Sequence, residues 1–378
     1  MLLRSTRRIW EVELESVQGR SAGKPTGTIH SVQLLRAIAA GLVALFHAHQ
    51  GFATRVARPW FESEGYWFGF GAVGVHVFFV ISGFIMVVTS WNRGSYDAAG
   101  FFRRRLTRIY PIYWLCALTY LAVHLAIGQP YGLSLAEIGA ALTLWPGAAS
   151  GIIGPAWTLT FELYFYLCFG LAMMLGLTRG LLLLGTIFFA AIVVGVWFRP
   201  SSEVANVMTN GLLLEFLAGA TIGWLALRGR LPQRFGPLLT VLALALFVAG
   251  LAVGYERGPS ALVWGIPSAV LVLGLVSWER RVGAGPAIRL VGKLGDSSYV
   301  LYLIHILLVT LGIEIALALG GATTLEPMIA AILIAACSVV IAHIVHLAIE
   351  RPMQHWLSPR RSSGRHRQNT PPSLASEI

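Results

Sequence analysis

Apolar residues run through this chain in blocks of about 17 to 25 positions, separated by short polar stretches rich in arginine, glycine and proline. The blocks fall near residues 30–52, 69–91, 109–127, 155–176, 181–198, 206–226, 237–255, 260–278, 297–320 and 325–349. Each is long enough to cross a hydrocarbon core as a helix, the form in which a single span pairs its own backbone groups. The pattern therefore predicts an all-α polytopic membrane protein of ten transmembrane helices. Leu133 to Pro146 is also apolar but too short to span; it carries Glu137 and ends at Trp145-Pro146-Gly147, which reads as a re-entrant or interfacial piece. Residues 1–29 and 358–378 are polar and lack periodic apolar positions, so they are expected to be disordered cytoplasmic tails around a transmembrane domain of residues 30–357. No repeat of fixed period is visible.

Composition narrows the class. Hydrophobic residues make up 56% of the 378 positions and charged residues only 12%, which excludes an ordinary soluble domain. The net charge of +11 raises nucleic acid as a partner, but the basic residues follow topology instead of forming one module. With the N-terminus in the cytoplasm, Arg93, Arg103, Arg104, Arg105, Arg108, Arg179, Arg228, Arg230, Arg234, Arg280, Arg281, Arg289, Lys293 and Arg351 all fall inside. Only Arg55, Arg58, Arg199 and Arg257 fall outside, and both termini are then cytoplasmic. No nucleic-acid partner is expected. Cys116, Cys168 and Cys337 lie in apolar stretches without metal-type spacing and read as packing residues. The first apolar block follows a long polar leader, unlike a secretory signal peptide.

Ionisable residues inside spans are costly and need a reason. Arg36 and His47 lie in the first span, and eleven residues at roughly 100° each bring them to one face, roughly 16 Å apart. The competing account is a snorkelling arginine and a packing histidine. In the second span His76 lies at a depth similar to His47, with Ser82-Gly83 near mid-membrane. Arg105 and Arg108, three apart where the third span begins, either bind phosphate through their planar forks or only fix topology. Glu162 lies about seven residues into the fourth span and requires a partner; Tyr164 and Tyr166 are assigned to interface and core. Ser298, Tyr302 and His305 share one late face, and His343, His346 and Glu350 another. The last trio is expected to hydrogen-bond, and no metal site is predicted.

Six segments in series, from R-x10-H (Arg36, His47) through G-V-H-V-F-F-V-I-S-G-F, R-R-R-L-T-R-I-Y-P, W-T-L-T-F-E and S-Y-V-L-Y-L-I-H to the final E-R-P, resemble the integral-membrane acyltransferase 3 family over about residues 29 to 356. The subgroup they resemble is the bacterial exopolysaccharide and Nod-factor type O-acetyltransferases. The resemblance implies transfer of an acyl group, usually acetyl from acetyl-CoA, to a sugar hydroxyl of an envelope or secreted glycan. It places the essential Arg and His on Arg36 and His47, the R-x-x-R on Arg105 and Arg108, and W-T-x-x-x-E on Trp157, Thr158 and Glu162. One departure is His76, which stands where an acidic residue is expected and puts in doubt any mechanism needing a carboxylate there. No hydrolase-like domain follows the last span, so the chain is expected to complete the transfer or pass the group to a partner.

On this reading Arg105 and Arg108 bind the acetyl-CoA phosphates and Arg36 lines the way to His47. His47 acts as general base or acyl carrier, either role requiring a neutral imidazole, and Glu162 orients that imidazole or binds the sugar. Trp157, Thr158, His76, Tyr302 and His305 are the candidate substrate contacts. The expected setting is the bacterial inner membrane, with a glycan or lipid-linked oligosaccharide acceptor, the lipid bilayer and polysaccharide assembly machinery as partners. The alternative is a transporter or export-complex component, in which the same residues form a proton or solute path.

Overall fold

The computed structural model describes residues 29–56, 69–91, 96–253, 259–319 and 327–357. The expected tails, and Arg58, Arg93 and Arg257, lie outside the described residues. Among those described, ten helices are long and apolar enough to cross a membrane. The protein is an all-α, multi-pass membrane protein.

Helix α1 (His30–Val56) has no acidic residue in its own first turn. Its leading amides are instead satisfied by Glu279 near the end of α10 (Ile266–Val282), whose carboxylate accepts from His30 N at 2.9 Å and Ser31 N at 2.7 Å. A 3-10 turn, Gly69–Val73, leads into α2 (Gly74–Trp91). Helix α3 (Ala98–Ala126) is capped by the Asp97 side chain on Gly100 N and runs on through Pro111. The arginine segment, read from hydropathy as a loop before a span starting near 109, is therefore helical. Its charges lower the local hydropathy, yet Asp97 starts the helix eleven residues earlier and Arg105 is buried within it.

The short α4 (Leu135–Leu142) carries a full capping box between Ser134 and Glu137. Those hydrogen bonds, from the Ser134 hydroxyl and then its amide, hold the exposed Glu137 carboxyl below its ordinary range. Helices α5 (Trp157–Ala172), α6 (Leu177–Phe198), the short α7 (Glu203–Thr209), α8 (Leu213–Leu227) and α9 (Gly236–Val253) follow. After α10 come the short α11 (Pro286–Gly292), then α12 (Ser298–Ala318), α13 (Pro327–Val345) and, past a π-turn at His346–Glu350, α14 (Arg351–Leu357).

Consecutive spans alternate in direction. The start of α1 meets the end of α10, and Tyr96 before α3 bonds the Gly170 carbonyl near the end of α5. Arg228 after α8 bonds Thr178 at the start of α6. These contacts gather Arg103, Arg104, Arg105, Arg108, Arg179 and Arg228 at one end of the molecule, called here the basic end. At the opposite end Arg55 of α1 pairs with Glu314 of α12 at 2.5 Å.

The core joins α2, α5 and α8 through a ring stack. Phe216 lies between Phe79 and Phe165, 4.6 Å from each ring centre. Helices α2 and α8 approach backbone to backbone, because a Cβ on Gly83 would fall on the Phe216 carbonyl and one on Gly219 on the Val80 carbonyl. This close crossing fixes the depth of Ser82, one residue from Gly83, against α5.

Candidate active site

Five helices, α1, α2, α3, α5 and α12, surround a cavity of about 80 Å³ lined by Arg36, Arg105, Arg108, Glu162, Thr158 and Tyr302 among others. Its basic mouth is set by α3. Arg105 is buried, donates to the Thr89 hydroxyl at 2.8 Å and lies over the rings of Phe101 and Tyr166. Its Nε is buried without a hydrogen-bond partner, an orphan donor beside a cavity.

Arg36 donates to the Gln33 side-chain carbonyl at 3.0 Å, and Gln33 donates in turn to Asp296 at 2.6 Å. Among the described residues, none of the ion pairs involves Arg36, Arg105 or Arg108. Glu162 accepts from Ser82 Oγ at 3.1 Å and from the Tyr166 hydroxyl. Three guanidinium groups thus face one carboxyl group that is held by two hydroxyls. Such a cavity favours an anionic guest.

Tyr302 closes the far end. Its hydroxyl donates to the Pro155 carbonyl and accepts from the Thr158 hydroxyl, each at 2.5 Å. Beyond it lie two imidazoles, with the His305 ring centre 5.9 Å from that of Tyr302 and 5.0 Å from that of His47. His47 Nδ1 lies 2.9 Å from the Val43 carbonyl, and His305 Nδ1 lies 3.0 Å from the Leu301 carbonyl. A carbonyl only accepts, so both rings carry their proton on Nδ1. His305 Nε2, 3.3 Å from His47 Nδ1, is then a second acceptor for that proton. Among the described residues His47 Nε2 makes no hydrogen bond. His47 lines an opening of about 320 Å³ at the end opposite the arginines, together with Gln50, Thr54, Arg55 and Thr310.

The placement differs from the sequence reading at Glu162 and His76. Glu162, expected to orient the His47 imidazole or bind the sugar, accepts instead from Ser82 and Tyr166 and shares the cavity with the arginines. His76 does not join His47; its Nδ1 lies 2.6 Å from Glu215 Oε1 in a fully buried pair between α2 and α8. Tyr166 is buried in the core as expected, and it also lines the cavity and bonds Glu162, which the sequence reading missed. Its i, i+4 relation to Glu162 on one helix was the available signal, and for Glu215 it was a lone carboxylate in an apolar span. Trp157 lies outside this cavity, on a separate cleft at the end opposite the arginines. At the basic end His346 pairs with Glu350 at 2.5 Å and His343 reaches Ser297 at 3.3 Å, so this trio hydrogen-bonds. No group that could hold a metal ion occurs among the described residues.

The family description "Acyltransferase domain" matches residues 29–357, the stretch that contains every element of this site. The chain belongs to the integral-membrane acyltransferase 3 family. It is 36% identical over 303 residues to the exopolysaccharide production protein ExoZ of Rhizobium meliloti, covering 77% of this chain and 92% of that one. The putative membrane-bound transacylase BcsY of Komagataeibacter xylinus is 28% identical, covering 74% and 73%. Nodulation protein 10 of Rhizobium leguminosarum bv. viciae is 29% identical, covering 76% and 85%. No solved structure gives a significant match. As a membrane acyltransferase, the chain needs an acyl donor, an acceptor and a place where they meet.

Proposed function

We propose that this acyltransferase moves an acetyl group from acetyl-CoA at the cytoplasmic face of the inner membrane to a sugar hydroxyl of an exopolysaccharide or related envelope glycan. The supporting observation is the cavity itself, in which Arg36, Arg105 and Arg108 face the single carboxyl of Glu162 and Arg105 Nε has no partner. A CoA ester brings the phosphates that such a site demands, and the basic end is the cytoplasmic end by its excess of arginine. The exopolysaccharide acceptor rests on the name of one relative, the exopolysaccharide production protein, and on the polar opening around His47 at the other end.

In this mechanism Arg105 and Arg108 hold the donor phosphates, and Arg36, positioned by Gln33 and Asp296, guides the thioester along the cavity towards Tyr302. Displacement of Tyr302 joins the cavity to the His47 opening. His47 Nε2 then takes the proton of the sugar hydroxyl, whose oxygen attacks the thioester carbonyl carbon; the C–S bond breaks and the CoA sulfur leaves. In the acyl-carrier variant the same lone pair receives the acetyl group first and passes it to the sugar. His305 serves as the positioning residue in either route, and Glu162 acts on the donor side.

The test uses protein reconstituted in lipid nanodiscs with acetyl-labelled CoA and an exopolysaccharide repeat oligosaccharide. His47→Ala is expected to abolish ester formation while leaving donor binding intact. The Arg105→Ala, Arg108→Ala double variant is expected to raise donor KM by a few kcal/mol in free-energy terms, at about 1.5 to 3 kcal/mol per charge-assisted bond. Transfer at the wild-type rate by His47→Ala overturns the mechanism.

A further inference from the structure

The start of α5 faces two ways. Thr158 closes the cavity through Tyr302, while its neighbour Trp157 lines a separate cleft of about 280 Å³ at the same end of the molecule as the His47 opening. Phe79 and Phe161 pack edge-on against Trp157, with ring centres 6.5 and 5.8 Å away, and the indole is still 41% exposed. A tryptophan that only anchors a helix at the bilayer interface presents its ring to lipid. This ring instead borders a partly open cleft, with the turn at Gly147 to Ser150 on one side and α7 on the other.

The cleft walls supply Ser150, Glu203 and Asn206. Gly147, at φ +83°, lets the turn approach α7 so closely that a Cβ there would meet Glu203 Cγ at 2.8 Å. Glu203 opens α7 behind the Ser202 cap, which fixes it and Asn206, three residues on, along one side of the helix. An exposed indole flanked by a carboxylate, an amide and a hydroxyl matches a sugar ring, with its flat C–H face and its rim of hydroxyl groups.

We propose that this cleft is a glycan subsite that holds a non-reacting sugar unit of the acceptor, with the ring stacked on Trp157 and its hydroxyls bonded to Glu203, Asn206 and Ser150. The inference rests on the glycan-acceptor reading above and adds a second point of attachment to it. The cleft and the His47 opening lie at the same end of the molecule, so on this proposal an acceptor several sugar units long occupies both. The chain then selects acceptors by length as well as by the hydroxyl presented to His47.

Binding is measured without donor, by titrating nanodisc-embedded protein with neutral glucose, galactose and mannose tetrasaccharides and with the matching methyl monosaccharides. At least one tetrasaccharide is expected to bind the wild type more tightly than its monosaccharide. Trp157→Ala is expected to weaken that binding by about tenfold or more, Trp157→Phe by less, and Glu203→Ala and Asn206→Ala by intermediate factors. Unchanged tetrasaccharide affinity in Trp157→Ala with a lowered melting temperature means an interfacial anchor only and overturns the proposal, as does wild-type binding to none of the tetrasaccharides. Parallel acetyl-transfer assays separate the two readings. Tetrasaccharide binding lost in Trp157→Ala, with no ester ever formed by the wild type, removes the transfer reaction and leaves the cleft; ester formation with an unaltered acceptor KM in Trp157→Ala removes the cleft and leaves the transfer.

Discussion

His47 directs its Nδ1 proton at the Val43 carbonyl and His305 Nε2, and so keeps its other nitrogen basic. If His305 acts by accepting that proton, a side-chain carbonyl in its place keeps part of the function. His305→Gln is therefore expected to retain more activity than His305→Leu, with the loss in kcat and not in donor KM; equal losses would reduce His305 to packing. Arg36 is the second residue whose chemistry is separable from its charge. Arg36→Lys keeps the charge but loses the planar fork and the Gln33 contact, and should lower kcat/KM by about tenfold or more, the worth of one charge-assisted bond. At this scale the sequence revealed which residues were costly, since Arg36, His47, Glu162 and His305 all stand in apolar spans. It did not reveal their partners. His76 meets Glu215 across 139 positions, a pairing set by how α2 and α8 dock and by nothing local.

Helices were legible wherever apolar length alone defines them, and all ten expected spans have counterparts among the described residues. Their ends were less legible where charges enter the membrane-spanning helix, as in α3, because hydropathy counts Arg105 as solvent-exposed while Thr89, Phe101 and Tyr166 shelter it. The crossing of α2 and α8 depends on two glycines, and neither can take a side chain without moving the partner backbone. Gly219→Ala should lower stability in detergent by about 1–3 kcal/mol, the usual cost of overpacking, and should lower the melting temperature measured by tryptophan fluorescence. Since Ser82 adjoins this crossing and bonds Glu162, activity should fall further than stability alone requires. Normal stability and activity in this variant would show that the helices tolerate separation.

The whole molecule places an arginine-lined cavity at one end and a polar opening at the other, so its orientation in the membrane decides which substrate comes from which side. Reporter domains inserted after Gly128, beyond α3, should lie outside the cytoplasm, and those after Gly229, between α8 and α9, inside it. The reverse result would put the arginine-lined cavity on the outer face and rule out a cytoplasmic CoA ester. Both ends share one further property. Tyr302 is bonded to Thr158 and Pro155, and behind it stands the buried His305, so among the described residues these side chains lie between the arginine-lined cavity and the His47 opening. The same plug that separates the arginine-lined cavity from the His47 opening would, on the proposed reaction, let an acyl group cross between the two ends only when Tyr302 moves, which couples the barrier to the chemistry.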